Sequence, residues 1–490
     1  MAGTVDVDVV VVGAGLSGLT AARVLQGHGV AVRVLEAADR VGGRVLSATV
    51  AGAHVDLGGT FVGPDHEHVT ALADAVGVRR RPTYEAGDNL LRWRGGVRRY
   101  RGTIPPVGPA ALADLARVRA AFGRASRAVP LGRPGDARDA ARLDATTLDG
   151  WLRDRHATRA TRDLMAVVAR TSWGCEPAEV SVLHVLHHVA QAGGLDRMLD
   201  TRGGAQEQHL VEGAQEVAVR VARDLGPGAV VLGAPVTRVD HGGDVVTVHT
   251  DAGPTRARRV VVAVPPALRR RIRFEPPLPA VHRRLAQRWA PGVLSKAYAV
   301  YDRPFWRDAG LSGMTVGDGG PVFITFDAGP LDGSRGVLLC FVGGPAARAW
   351  EGAGPAERRA GVLRSLADLF GAGALTPLGY VDQRWAEEDW LGGGPTAAPG
   401  PGAVAPLHRA LSEPVGTVHW AGTETATRRA GFMDGAVAAG ERAAREVVRA
   451  LAVEDGGAGD GAGGAADDAA GGAADGGAGT GERTTGIEPA

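Results

Sequence analysis

Apolar positions along this chain follow two periods, and their alternation is the first clue to its architecture. Val9–Val12 is an unbroken β-branched run, the pattern of a parallel strand buried on both faces. With its flank it predicts a strand over Val7–Val12. A turn, Gly13-Ala14-Gly15-Leu16-Ser17-Gly18, comes next, and Leu19–Gln26 continues as a helix broken by Gly27 and Gly29. Val30–Leu35 reads as a second strand ending at Glu36. Further along, Ala229–Val239 and Val245–Thr250 alternate like strands, and Arg259–Val264 reads as another buried one stopped by Pro265-Pro266.

Between about 106 and 200 the period turns helical, over Ala110–Ala121, Leu148–Arg155, Arg159–Ala169 and Val180–Ala192. Strands are expected again at 294–302 and 336–343, and a helix over Ala356–Leu369. Val418–Ala421 reads as a strand, Gly422–Thr425 as a turn and Gly435–Ala450 as a closing helix. The fold class is therefore α/β. A Rossmann-like dinucleotide domain is assembled from discontinuous segments (5–84, 206–285 and 380–451). An α+β domain with a helical insert, 85–205 and 286–379, is expected to hold the substrate. At 490 residues the chain exceeds what one core comfortably serves, which fits two closely packed domains. The stretch 452–490 is Gly/Ala/Asp-rich and buries too little to order itself, so it is expected to be a disordered tail.

Composition narrows the function classes. The formal charge of +1 hides an acidic tail, since Glu454–Ala490 holds eight acids and one Arg, leaving the body with 54 basic against 46 acidic residues. The clusters Arg79–Arg81, Arg98–Arg101 and Arg269–Arg271 lack the aromatic interleaving of nucleic-acid platforms and read as solvated surface. Cys175 and Cys340 fit neither a metal spacing nor a disulfide framework, which points to a reducing, cytoplasmic setting. No signal peptide and no run of eighteen apolar residues is seen, so no membrane span is expected. Lys296 is the only lysine among 55 basic residues. A compact ammonium has no planar substitute, so its survival in an Arg-biased chain marks position 296 for chemistry.

The glycine turn is more specific than its motif alone, because it succeeds a strand, opens a helix and is answered by Glu36 eighteen residues past Gly18. Gly13 permits the turn, Gly15 lets a pyrophosphate approach the backbone with Ser17 beside it, and Gly18 allows helix and strand to pack closely. The helix N-terminus attracts the anion, and Glu36 accepts hydrogen bonds from a ribose. The motif by itself does not choose between nicotinamide and flavin dinucleotides. The residues beyond it do choose. The run from Glu36 to Arg44, with Gly42-Gly43 and an Arg44 to face phosphate, then Asp56-Leu57-Gly58-Gly59-Thr60-Phe61, resembles the flavin amine oxidase superfamily.

The resemblance to flavin monoamine oxidases runs over about residues 7 to 451. Gly203-Gly204-Ala205-Gln206-Glu207 resembles the family's approach to the active site, and Ala234-Pro235-Val236 the strand whose valine backbone holds adenine. Leu294-Ser295-Lys296 resembles the segment bearing the family's lysine, and Trp385-Ala386-Glu387-Glu388 its tryptophan segment. Ala421-Gly422-Thr423-Glu424-Thr425 and Gly431-Phe432-Met433-Asp434-Gly435 are similar to the family's closing motifs. The resemblance implies FAD held by Gly13, Gly15, Ser17, Gly18, Glu36, Arg44, Gly58, Gly59, Thr60, Val236, Trp385, Gly422, Glu424 and Met433. It further implies that an amine is oxidised to an imine and then an aldehyde or ketone while O₂ becomes H₂O₂. Lys296 would hold a water near flavin N5, Phe432 would flank the substrate and Gln206 would orient it.

Departures from the family narrow these expectations. Gly394 stands where mammalian members carry the cysteine that binds FAD covalently, so noncovalent FAD is expected. The family's two flanking tyrosines fall at Pro395 and Phe432, and pocket positions Thr171, Ser172 and Ile324 also differ. An L-amino-acid oxidase or flavin desaturase is the alternative within oxidoreductases, with Arg428 and Arg429 as candidates for a substrate carboxylate. A non-catalytic flavin-binding scaffold is the alternative of another class, which the retained Lys296 opposes. His184, His187 and His188 share helical spacing, yet no supporting carboxylate or cysteine makes a metal site of them; they are expected along the substrate side. Trp173 and Trp350 read as packing, and Asp56 as structural support for the glycine turn. The partners expected are a small amine and O₂, with no nucleic acid or membrane, and a homodimer is compatible with all of this.

Overall fold

The computed structural model describes residues 4–317 and 320–459. Contacts divide the chain into a compact unit, Met1–Val448, and a second, Arg449–Ala490, of which the described part is the end of the closing helix Met433–Gly459. That helix continues through 452–459, which were expected in the tail, with no proline in the segment to stop it. The remainder of the expected disordered tail, 460–490, lies outside the described residues.

A five-stranded parallel sheet carries one half of the first unit, in the order Val230–Val231, Val32–Leu35, Val9–Val12, Arg259–Val262 and Val418–Trp420. Strands far apart in sequence thus lie side by side, and Val9, Val10 and Val11 are buried. The helix Leu16–Gly27 leaves the first strand through the glycine turn. A Cβ on Gly18 would sit 2.0 Å from the Gly13 carbonyl oxygen, and one on Gly440 would sit 2.2 Å from that of Ser17. Glycine at both positions lets the turn close and lets the final helix press on it. The single strand expected over Ala229–Val239 is instead two short ones, Val230–Val231 and Arg238–Asp240. Gly233 at positive φ bends the chain between them, and Pro235 removes a ladder donor.

The other half centres on a seven-stranded mixed sheet, ordered Gly379–Arg384, Ser295–Tyr301, Gly336–Val342, Val322–Asp327, Leu311–Gly317, Asp88–Trp93 and Gly96–Tyr100. All but Ser295–Tyr301 and Gly336–Val342 are strands that periodicity had not marked. In Leu311–Gly317 and Val322–Asp327 Ser, Thr, Gly and Asp interrupt the apolar run, while both strands are buried on both faces nearly throughout. The helical insert, from Pro109–Arg127 to Leu195–Leu199, packs around a core with Trp151, Trp173 and Leu183.

Two arginines expected on the surface turn inward. Arg269 is 3% exposed, stands 4.1 Å over the Trp420 ring and donates to the carbonyls of Ala410 and Leu411. Arg81 donates to Ala328 O at 2.6 Å. A guanidinium can be buried when carbonyls and aromatic faces meet its fork, and clustering in sequence does not reveal that.

Candidate active site

One cavity of about 330 Å³ runs along the seam of the two sheets. Its wall includes Gly13, Gly15, Ser17, Glu36, Arg44, Gly58, Gly59, Thr60, Gln206, Val236, Lys296, Trp385, Gly422, Phe432 and Met433. Of the residues expected to hold FAD or act on the amine, Gly18 and Glu424 stand off it, each acting from just behind, and of the three helix histidines expected along the substrate side His188 lines it while His184 and His187 do not. Gly18 makes the turn close. Glu424 forms a two-pronged pair with Arg44, at 2.6 and 3.0 Å. Burial makes that pair strongly interdependent: the Arg44 guanidinium holds the Glu424 carboxyl below the usual carboxylate range against its burial.

The turn end of the cavity suits a dinucleotide diphosphate. The helix Leu16–Gly27 opens at Gly15 with no side-chain cap and no acid in its first turn, so its leading N–H groups meet no side-chain acceptor. A Cβ on Gly15 would find no atom nearer than 4.0 Å, so that edge of the backbone opens onto free space. Ser17 Oγ accepts from Gly422 N at 2.9 Å, which joins the first strand's turn to the last strand's turn. Glu36 is positioned by accepting from Ala14 N at 2.6 Å and Ala38 N at 2.9 Å. Each carboxylate oxygen keeps a second lone pair, and ribose hydroxyls are the donors that suit it. These residues fit an FAD.

The opposite end carries Lys296, whose strand Ser295–Tyr301 is buried along its whole length. Its Nζ donates to the carbonyl oxygens of Asp56 and Gly58 and to Thr60 Oγ1 at 2.5 Å, and it stands 5.3 Å from the Phe341 ring centroid. Desolvation drives its pKa down from that of a free lysine, and the nearby Asp56 carboxylate only partly restores it. Burial in turn raises Asp56, against hydrogen bonds from Ser47 Oγ at 2.6 Å and Ala214 N at 2.8 Å and the charge of Lys296. Asp56 thus ties the 56–60 turn to the helix at Ala214 and balances the buried ammonium. Trp385 Nε1 donates to Leu57 O at 2.9 Å and fixes the same turn.

Gln206 donates from Nε2 to Met198 O at 3.1 Å, while its Oε1 is buried with no partner among the described residues. An acceptor left open on a cavity wall calls for a donor on what binds there. Phe432 lies between His66, at 5.4 Å between ring centroids, and His188, at 5.7 Å. Thr171, Ser172 and His188 share this wall, whereas Ile324 does not. Gly394 lines the cavity too, and a Cβ there would meet only Trp385, at 3.8 Å.

The candidate carboxylate readers are elsewhere. Arg429 pairs with Asp65 at 2.7 Å and Asp434 at 3.5 Å, Arg428 is exposed, and neither lines the cavity. Among the described residues no group of three or more metal-ligating side chains converges. Trp173 and Trp350 are buried within apolar clusters. Sequence reasoning missed Phe341, Leu268, Arg271 and Trp390 on the wall. Of these, Phe341 alone carried a signal, since it is the residue in register with Lys296 once the two strands pair.

Residues 16–448 match the family described as flavin containing amine oxidoreductase. A Mycobacterium tuberculosis protein named as a flavin-containing monoamine oxidase, AofH, is 49% identical over 445 residues, covering 91% of this chain and 97% of that protein. The flavin-containing amine oxidase A of Equus caballus is 35% identical over 455 residues, covering 91% and 85%. The solved structure of cyclohexylamine oxidase from Brevibacterium oxydans superposes with a TM-score of 0.87 at 33% identity, over 91% of this chain and 100% of that one. Among the described residues no helix is long and apolar enough to cross a membrane.

Proposed function

The chain belongs to the flavin-containing amine oxidoreductase family, and from that premise we propose that it oxidises a primary or secondary amine with a noncovalently held FAD. The amine loses two electrons and two protons to become an imine, water releases the aldehyde or ketone, and O₂ leaves as H₂O₂. The observation that carries the reading is Lys296, the chain's single lysine, buried on the wall that also bears Trp385, Gln206 and Phe432.

The segments 5–84, 206–285 and 380–451 form the FAD-binding part in this reading, and 85–205 with 286–379 the substrate part. Gly13, Gly15, Ser17 and Gly18 would present the helix N-terminus to the pyrophosphate, and Glu36 would take the ribose hydroxyls. Val236 would border the adenine, and Arg44, steadied by Glu424, would face the phosphates. Gly58, Gly59, Thr60, Gly422 and Met433 line the path between. Bound there, the flavin supplies the two-electron acceptor. No thiol stands at Gly394, which supports noncovalent attachment.

The substrate's nitrogen donates to Gln206 Oε1. Apolar walls from Phe61, Leu199, Leu294, Phe341 and Phe432 penalise an ammonium, so the amine binds as its free base. Lys296 gives or takes a proton at Nζ, where burial has brought its affinity for that proton down. The free thiols Cys175 and Cys340 support a cytoplasmic setting. Anaerobic mixing with panels of amines and amino acids tests the reading, with loss of flavin colour expected for amines. A protein that stays colourless after incubation with FAD, or one bleached only by amino acids, would refute it.

A further inference from the structure

His188 is a buried imidazole, 4% exposed, on the helix Val182–Gln191, and it lines the substrate end of the cavity. Neither ring nitrogen has a hydrogen-bond partner among the described residues. Its neighbours hold it in place by shape instead. Trp173 packs edge-on at 5.5 Å and His184 at 6.1 Å, and Phe432 lies tilted at 5.7 Å between ring centroids. A Cβ on Gly431 would lie 2.9 Å from His188 Cε1, so the ring is backed against the Gly431 backbone. A side chain fixed on four sides, with its polar atoms left over and cavity in front, is placed to meet something in that cavity. Burial and the neighbouring His187 push its pKa down to about 3, so it faces the cavity uncharged, with one N–H to donate and one lone pair to accept.

The charges around the cavity limit what can meet that ring. The two lining carboxylates are engaged away from this wall. Glu36 accepts two backbone N–H groups beside the phosphate turn, and Glu388 accepts from Gln383 Nε2 at 2.6 Å. A second cationic nitrogen entering beside His188 would meet a neutral imidazole, Ser172, Thr171 and aromatic rings, with no anion to offset its desolvation.

Resting on the amine oxidase reading, we propose that His188 is a specificity-determining residue, and that the substrate is a monoamine bearing one neutral hydrogen-bonding group, a hydroxyl, phenol or carbonyl, that reaches its ring. A site that leaves a buried polar atom waiting for a substrate group penalises the analogue lacking that group much more than it penalises a missing methylene.

The test compares kcat/KM for 2-phenylethylamine, its ring-hydroxylated derivative and 1,4-diaminobutane, in the FAD-loaded wild type and in His188→Phe and His188→Gln. The wild type should favour the hydroxylated amine over its deoxy partner by about tenfold or more and take the diamine worst. His188→Phe keeps the packing and should collapse the ratio towards one, while His188→Gln, which can donate and accept, should restore part of it. Flavin content and the urea midpoint report whether each variant has folded. A ratio unchanged in His188→Phe, a wild-type ratio near one, or the diamine as best substrate would overturn the assignment. Failure of every amine to bleach the wild-type flavin would instead bring down the amine oxidase reading, and this proposal with it.

Discussion

Acid should unfold this protein earlier than its carboxylates alone would dictate, because its helical insert buries neutral histidines. His187 and His188 are 3% and 4% exposed. Burial pushes His187 down to about 4, partly resisted by its hydrogen bond to Leu131 O at 2.6 Å, and His188 to about 3. In the unfolded chain both titrate near 6.5. The unfolded state therefore binds more protons in the window from about 6.5 down to the folded values, so stability falls as pH falls through that window. At about 1.4 kcal/mol per pH unit, taking the protein from pH 7.5 to 5 costs about 2 kcal/mol for each histidine, or about 4 for the two. His184, buried beside them, shifts in the same direction. Carboxylates held low by ion pairs, such as Glu424, release their stabilisation only as the pH falls through about 4.5 and lower, outside the span from pH 7.5 to 5. A loss of that size is a large share of a typical 5–15 kcal/mol. Urea unfolding of the FAD-loaded protein, monitored by tryptophan fluorescence at pH 7.5, 6 and 5, should show the midpoint falling steadily. His187→Gln keeps a donor for Leu131 and should remove about half of the slope. An unchanged midpoint between pH 7.5 and 5, or a slope untouched in His187→Gln, would refute this account of acid sensitivity.

The site gives three further expected outcomes. Lys296→Met should keep its flavin and lose turnover by on the order of 10²-fold, read by steady-state and stopped-flow kinetics, since it removes a proton-carrying group and no cofactor contact; unchanged kinetics would take Lys296 out of the mechanism. Gly18→Ala should lose flavin binding or soluble expression, because its Cβ would lie 2.0 Å from Gly13 O; a normal flavin-to-protein absorbance ratio would disprove the close approach. Acid precipitation of the wild type should release all its yellow colour into the supernatant, with Gly394 offering no sulfur; colour left in the pellet would show a covalent link elsewhere.

The chain's local chemistry revealed a good deal before any tertiary contact was known. Val9–Val12, the Gly13–Gly18 turn and Glu36 were legible because a buried parallel strand, a tight turn and a helix start each impose their requirement on neighbouring residues. Lys296 was legible because one ammonium among so many guanidiniums is itself a signal. The helices of the insert were readable from their apolar stripes. Leu311–Gly317 and Val322–Asp327 were not, because in strands sealed on both faces nearly throughout, hydroxyls and glycines can stand inward when neighbouring strands satisfy them.

Tertiary structure alone decided which of these residues meet. Arg44 and Glu424 are joined across 380 residues, Asp56 is bound to Ala214 N across 158, and Lys296 reaches the Asp56–Thr60 turn across more than 230. Sequence spacing bears no relation to such separations, since the pairing depends on how the sheets are laid together. Burial of Arg269 over Trp420 and the open nitrogens of His188 belong to the same class. Whether a polar side chain is solvated, satisfied or left waiting for a ligand is fixed by the atoms that surround it after folding, and a one-dimensional pattern does not contain them.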